Sequence, residues 1–108
     1  MRRTVLLTDG AARDLDELYA AAYDAGGADR ADLLLDRIQV ALQRLAGDAP
    51  VGEPLEALRR LGFHEGRQLR DDPLRYLYRV QGGEVHLIAL CDRSRSLQSL
   101  LQRRMLDS

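Results

Sequence analysis

The segment LRYLYRV at residues 74–80, followed by QGG at 81–83 and EVHLIALC at 84–91, decides the fold because it predicts a β-hairpin. The first segment is rich in aromatic and branched residues, which favour strands. The glycine pair accepts the positive φ angles of a tight hairpin turn. The second segment is almost continuously apolar, as expected of a strand that is covered on both faces.

Arginines and tyrosines alternate along the first strand of this hairpin. Successive side chains of a strand point to opposite faces of its sheet. One face is therefore predicted to pack beneath helices, with Tyr76, Tyr78 and Val80. The opposite face is predicted to be open, with Arg75, Leu77 and Arg79.

A second hairpin is predicted to add polar side chains to the open face. Residues 63–70 read as a strand, and the turn at 71–73 contains two aspartates and a proline, which favour turns. Pairing across this turn would bring Arg70 and Gln68 beside the other arginines, and Arg93 and Arg95 follow the last strand. Guanidinium groups bind phosphates and carboxylates through paired hydrogen bonds. The cluster is therefore a candidate binding site, and a solvated strand face is the alternative.

Two amphipathic helices precede these strands. Residues 4–8 are predicted to form a short strand, after which Thr8 or Asp9 caps the first helix. Apolar residues recur at helical spacing, and the first helix ends at the Gly26-Gly27 pair. Asp14 lies mostly off the apolar stripe of the first helix. The second helix runs to Leu45, so the two helices are expected to pack as an antiparallel hairpin.

The complete element order predicts an α+β fold, β-α-α-β-β-β-α. Residues 55–61 would add one or two helical turns, and residues 96–106 would form a final helix. We expect a single domain over residues 1–108, with a helical hairpin packed on an antiparallel sheet of about four strands. Counting reversals places the chain antiparallel to the first strand when it emerges from the helices.

The charge is divided between the two halves of the chain. Residues 1–54 carry a net charge of −4 and residues 55–108 a net charge of +3, although the whole chain has a net charge of only −1. This division indicates an acidic helical half and a basic working half. A single cysteine cannot form an internal disulfide, and the apolar run at the N-terminus is too short for a signal peptide. We expect a soluble cytoplasmic protein.

No standard catalytic or phosphate-binding motif occurs in the sequence, and no cofactor or metal is predicted. Cys91 lies in an apolar strand, where a small core residue is the expected interpretation. His64 and His86 lack metal-ligand spacing, and each is expected to be a strand histidine rather than a general base.

The hairpin RYLYRV, with the strand VHLIAL after the turn, resembles the R-Y-x-x-Y-R-V hairpin of the ParE/RelE toxin superfamily. The opening VLLT and the following ARDLDELY, residues 12–19, are similar to the strand-to-helix start of ParE-like members. The resemblance extends over nearly the whole chain. It implies a helical hairpin on a sheet, as the periodicity also does, and a toxin of a type II toxin–antitoxin system.

The superfamily divides by target, and its RelE-like members cut messenger RNA on the ribosome. The resemblance implies that Arg75 would match a catalytic arginine, and that Arg93 or Arg95 would match a second. Gly66 and Gln68 stand where RelE has strand lysines, and Ser99 stands near the position of its C-terminal tyrosine. Arginine stays charged and carries protons poorly. An endoribonuclease with this sequence would therefore need another acid–base set, with His64 or His86 as candidates.

ParE-like members, by the same resemblance, poison DNA gyrase by binding it and are neutralised by a cognate antitoxin. The chain departs from their usual pattern at residues 90–95, where LCDRSR replaces a histidine-containing run. The resemblance favours a gyrase inhibitor without catalytic residues, and a homodimer is compatible with it. The antitoxin is expected to contact the open face, the last helix or the helical hairpin. The residues expected to bind the target or antitoxin are Arg70, Arg75, Leu77, Arg79, Arg93 and Arg95.

Overall fold

The computed structural model of the protein describes residues 2–47, 52–92 and 97–107, with side chains of the last segment described at 99–104. Its elements are β1 (Thr4–Leu7), α1 (Asp9–Leu45), β2 (Glu53–Pro54), α2 (Glu56–Arg60), β3 (Gly66–Asp71), β4 (Leu74–Gln81), β5 (Glu84–Asp92) and α3 (Leu97–Asp107). The predicted α+β fold is confirmed, and the short β2 adds a fifth strand. None of the helices in the described ranges combines the length and apolarity needed to cross a lipid bilayer.

The long helix α1 consists of two arms that separate at Gly27. This glycine has φ 77° and ψ −168°, which is non-helical and costs little only for glycine. The first arm is capped by Thr8, whose Oγ1 accepts a hydrogen bond from the Ala11 N–H at 3.2 Å. Leu18 of the first arm and Ile38 of the second lie in one apolar cluster. The two arms therefore form the predicted helical hairpin.

The sheet has the strand order β1-β5-β4-β3-β2. Strands β3, β4 and β5 pair antiparallel through two hairpins, as predicted. Strand β1, however, pairs parallel with β5, with Thr4 opposite Glu84 and Leu7 opposite Leu87. The expectation that β3 runs antiparallel to β1 is therefore wrong.

The direction of the first helical arm explains this difference. The Thr8 N–H donates to the Leu87 carbonyl at 3.1 Å, and Asp14 Oδ2, further along α1, accepts from the Leu90 N–H at 3.0 Å. The first arm therefore continues in the direction of β1 instead of reversing it. The second arm returns to the start of β1, where the Arg3 N–H donates to the Ala46 carbonyl at 2.8 Å. Strand β3 begins at that end and so runs in the same direction as β1.

Both faces of the sheet carry apolar clusters. On the first face, Tyr76 and Tyr78 pack beneath the helical hairpin, as predicted. On the second face, strands β4 and β5 pack against the two short helices through Leu58, Leu77, Ile88, Ala89, Cys91, Leu100 and Leu101. An irregularity in the β4–β5 register, between Leu77 and Tyr78, leaves Ile88 without an opposite residue. The fold therefore has helices on both faces of the sheet.

Candidate binding site on the second face of the sheet

Strand register places the predicted site residues on the second face. Arg70 of β3 lies opposite Arg75 of β4, and Gln68 lies opposite Leu77. Arg79 lies opposite His86 of β5. Since residues two apart along a strand share a face, Arg70, Arg75 and Arg79 lie on one side of the sheet, as predicted.

The middle of this face is covered, although the sequence predicts that it is open. Leu77 is 0% exposed, and it packs with Leu58 of α2 and Leu100 of α3. The prediction that Leu77 contacts a partner is therefore wrong for this structure. Alternation identifies the face correctly, but α2 and α3 also have apolar sides to bury, and they bury them here.

We call the part of the second face beneath α2 and α3 the covered strip. At one end of this strip, Arg70 and Arg75 lie close to the β3–β4 turn. Arg70 is exposed, and its Nε lies 3.5 Å from Oε1 of Glu53. The same oxygen accepts a hydrogen bond from Nε2 of Gln68 at 3.1 Å. Arg75 is half-buried and lies opposite Cys91. Arg93 and Arg95, which the sequence assigns to this cluster, lie outside the described residues.

At the other end of the strip, a cleft of about 240 Å³ opens between the start of α1, strands β4 and β5, and α3. Arg79 and His86 form its floor, and His86 Nε2 lies 3.2 Å from Oε1 of Glu84. Further walls come from Gly10, Arg13, Phe63 and Arg104. The cleft therefore brings together arginine side chains from one strand and two helices, with His86 beside them.

A buried ion pair forms one wall of the cleft. Arg104 Nη2 donates to Oδ1 of Asp14 at 2.8 Å and to Oδ2 at 2.7 Å. The side chains of Arg104 and Asp14 are 10% and 5% exposed. Asp14 is buried although it lies off the predicted apolar stripe, because Gly10, Asp14 and Leu18 are spaced four apart and share one buried side of α1. That spacing was a usable sequence signal for the burial of Asp14.

The two histidines lie in different places. His64 is exposed, in the connection between α2 and β3, and lines a separate cleft beside Glu65. His86 lies beside Arg79 in the cleft described above. Cys91 is 1% exposed, so its expected role as a core residue is confirmed. The described residues contain no group of three or more His, Cys, Asp or Glu side chains that could hold a metal ion.

The pKa shifts occur on the first face of the sheet, beneath the helical hairpin, and at the end of β3. Burial, together with the nearby Asp71 carboxylate, raises the pKa of Tyr76 to about 12. Burial also raises the pKa of Tyr78. At the edge of the sheet, the hydrogen bond from Arg37 lowers the pKa of Asp71. These shifts report packing between α1 and the sheet rather than a reactive group.

A sequence model described as the ParE toxin of the type II toxin–antitoxin system parDE matches residues 5–97. A comparison with curated protein sequences finds no significant match.

Several solved structures share the fold. The chromosomal ParDE toxin–antitoxin system from P. aeruginosa aligns with a TM-score of 0.70 and 23% identity, covering 84% of this chain and 96% of that chain. The RelBE2 toxin–antitoxin complex from Mycobacterium tuberculosis aligns with a TM-score of 0.61 and 24% identity, covering 88% and 95%. A conserved hypothetical protein from Helicobacter pylori aligns with a TM-score of 0.58 and 19% identity, covering 88% and 98%. At these identities the structures establish a shared fold.

Proposed function

We propose that this chain, which belongs to the ParE toxin family of type II toxin–antitoxin systems, inhibits DNA gyrase by binding it and is neutralised by a cognate antitoxin. The observation that carries the proposal is the family match over residues 5–97. By resemblance, ParE-like members act by binding to gyrase, whereas RelE-like members cleave messenger RNA. The choice between them therefore depends on which chemistry the site can perform.

The surroundings of Arg75 support binding rather than cleavage. Its described cross-strand neighbours are Arg70, which stays charged, and Cys91, which is buried. An endoribonuclease needs one group that accepts the 2′-hydroxyl proton and another that protonates the leaving oxygen. Arginine can stabilise a phosphate but cannot exchange protons near neutral pH. The described residues around Arg75 are therefore suited to recognition of an anionic surface.

One observation favours the endoribonuclease as a second candidate. Histidine is the side chain most often used as a general acid or base, and His86 lies opposite Arg79 on adjacent strands. Arg79 is four residues along β4 from Arg75, which is about 13 Å for an extended strand. A nuclease of this kind would have its acid–base group at the Arg79 end of the face. From the sequence, His64 is the other candidate for the acid–base group of such a nuclease. Arg93 or Arg95 is the candidate for its second arginine.

The first experiment measures supercoiling of relaxed plasmid by purified gyrase as the purified protein is titrated in. We expect supercoiling to stop, and the Arg75→Ala/Arg79→Ala variant to need at least about tenfold more protein for the same effect, because charge-assisted contacts are lost. Arg59→Ala, an exposed arginine on α2, is the matched control and should inhibit normally. Unchanged supercoiling at a large molar excess of the folded protein would refute gyrase inhibition.

A further inference from the structure

The cleft at the Arg79 end of the second face has the composition of a binding site for an anionic group. Arg13, Arg79 and Arg104 line it, together with Asp9, and Asp14 lies behind it in contact with Arg104. Glu84 contacts His86 at the floor of the cleft. Of these three carboxylates only Asp9 lines the cleft itself, whereas all three guanidinium groups do. The lining therefore favours an anionic group, and a carboxylate is one that guanidinium binds through two parallel hydrogen bonds.

Arg79 is the group placed to make the new contact. Its backbone belongs to the ladder of β3, β4 and β5, but its guanidinium makes no hydrogen bond or ion pair with any described residue. It is half-buried on a central strand, so its stem is held by the sheet and its guanidinium is partly removed from water. A guanidinium in such a position gains from a bidentate hydrogen bond to a carboxylate more than an exposed one does. Its geometry favours the flat, two-oxygen acceptor that a carboxylate presents.

The other walls of the cleft indicate what accompanies the charge. Phe63 is half-buried and presents apolar surface to the cleft, whereas Ile88 lines it but is only 3% exposed. The Arg104 guanidinium occupies the space that a side chain at position 10 would take. A ligand group in the cleft would therefore contact apolar carbon and charge together. An acidic side chain next to an apolar one in a peptide has this character.

We propose that the cleft between α1, β4, β5 and α3 receives an acidic side chain, with an adjacent apolar side chain, from the antitoxin that neutralises this toxin. The inference rests on membership of a toxin–antitoxin family for the existence of such a partner, and it does not depend on gyrase as the target. Arg79 binds the carboxylate, and Phe63 covers the apolar neighbour.

The test uses two capped synthetic peptides, acetyl-Leu-Glu-Leu-amide and acetyl-Leu-Gln-Leu-amide, titrated into the full-length protein. Binding is followed by NMR through the His86 ring signals and the Arg79 Nε–H signal. We expect the Glu peptide to bind about tenfold or more tightly than the Gln peptide, since one charge-assisted contact separates them. Equal affinity of the two peptides, or shifts that leave the cleft unaffected, would overturn the proposal.

Two variants separate the role of Arg79 from general charge. Arg79→Gln should abolish the preference for the Glu peptide, and Arg79→Lys should recover only part of it, because lysine lacks the planar fork. Arg70→Gln, an exposed arginine at the other end of the face, should retain the full preference. If Arg79→Gln does not fold, the comparison of the two peptides on the unsubstituted protein decides the proposal.

A third titration, with inorganic phosphate and then a short single-stranded oligonucleotide, examines the opposing assignment. Binding of either ligand at the cleft more tightly than the Glu peptide would assign the cleft to phosphate and overturn the proposal. The supercoiling assay is read separately. Preference for the Glu peptide without gyrase inhibition would contradict the proposed function and support the cleft assignment. Gyrase inhibition without a peptide preference would support the proposed function and overturn the cleft assignment.

Discussion

Arg104 of α3 and Asp14 of α1 form a buried, two-pronged contact that joins the last helix to the first. Both Asp14 oxygens accept from Arg104 Nη2, at 2.8 and 2.7 Å, and Oδ2 also accepts from the Leu90 N–H of β5. Three elements that are distant in sequence therefore meet at one carboxylate. Since the pair also forms a wall of the cleft, it connects the stability of the fold to the shape of the candidate site.

Removing one partner of this pair should be costly. We expect Arg104→Met to lower the free energy of unfolding by about 3–5 kcal/mol, because it leaves a buried carboxylate without its counter-charge. Urea denaturation measures the effect. Arg103→Met, at the neighbouring exposed position of α3, is the matched control and should change stability by less than about 0.5 kcal/mol. A loss below about 1 kcal/mol for Arg104→Met would show that the pair is not formed in solution.

Replacing Gly10 by alanine should destabilise the fold, although this substitution normally stabilises helices. Replacing glycine by alanine in a helix usually gains about 0.5–1 kcal/mol. At position 10, however, the new methyl group would lie 2.8 Å from Cδ of Arg104, which is buried and held by Asp14. We therefore expect Gly10→Ala to lower the free energy of unfolding by about 1–3 kcal/mol, in urea denaturation.

The control for this prediction is Gly83→Ala. Its methyl group would meet no atom within 4 Å, and Gly83 is exposed. We expect Gly83→Ala to be tolerated. If both alanine variants behave alike, the Arg104 side chain does not lie over Gly10.

Tyr76 should tolerate loss of its hydroxyl. Its Oη is buried and makes no hydrogen bond to any described residue. We expect Tyr76→Phe to leave the free energy of unfolding unchanged or to raise it by up to about 1 kcal/mol at neutral pH. By contrast, Tyr78→Phe removes a hydrogen bond with the Gly52 backbone and should cost about 1 kcal/mol. Equal losses for the two variants would contradict this account of the core.

The raised pKa of Tyr76 also predicts how the free energy of unfolding changes at high pH. Burial raises its pKa to about 12 from an ordinary value of 10.0. The unfolded chain therefore loses this proton at lower pH than the folded chain, so the contribution is present below pH 10.0 and is lost as the pH rises toward 12. Unfolding measured over this range should show a smaller loss for Tyr76→Phe than for the unsubstituted protein. A loss of the same size in both would contradict the prediction.

The Arg37–Asp71 contact should make the stability of the fold depend on pH in the acid range. Arg37 Nε donates to Asp71 Oδ2 at 3.0 Å, which lowers the pKa of Asp71 below its ordinary value of 3.8. The stabilisation is therefore present above that value and is lost as the pH falls through the folded-state pKa. Asp71→Asn should have a lower melting temperature than the unsubstituted protein at neutral pH, and the difference should disappear in strong acid.

Asp72→Asn is the matched control for the acid range. Its backbone carbonyl accepts from Arg37 Nη2, and the substitution leaves that carbonyl in place. We expect the melting temperature of Asp72→Asn to follow that of the unsubstituted protein at each pH. A difference for Asp71→Asn that persists in strong acid would indicate an effect of packing and not of charge.

The parts of the fold that depend on local rules were predictable from the sequence. The glycine pair and the aspartate–proline turn fix the two hairpins, and the pleat fixes which face receives Tyr76 and Tyr78. The family resemblance rests on the same hairpin and agrees with the match over residues 5–97. These features need no knowledge of distant contacts.

Features that depend on distant contacts were predicted wrongly. The parallel pairing of β1 follows from the direction in which the first arm of α1 leaves Thr8, which periodicity does not specify. The burial of Leu77 depends on where α2 and α3 dock. The contact between Asp14 and Arg104 joins residues 90 positions apart. Its burial could still be anticipated from the spacing of Gly10, Asp14 and Leu18, but its partner could not.

We propose that this ParE-family toxin stops growth by inhibiting the supercoiling activity of DNA gyrase. The most direct measurement induces the protein in cells and follows, in the same samples before growth stops, the supercoiling of a reporter plasmid and the integrity of a translated messenger. We predict that the plasmid relaxes while the messenger remains intact, and that the Arg75→Ala/Arg79→Ala variant delays the relaxation. Cleavage of the messenger with unchanged plasmid supercoiling would contradict the claim and support the endoribonuclease.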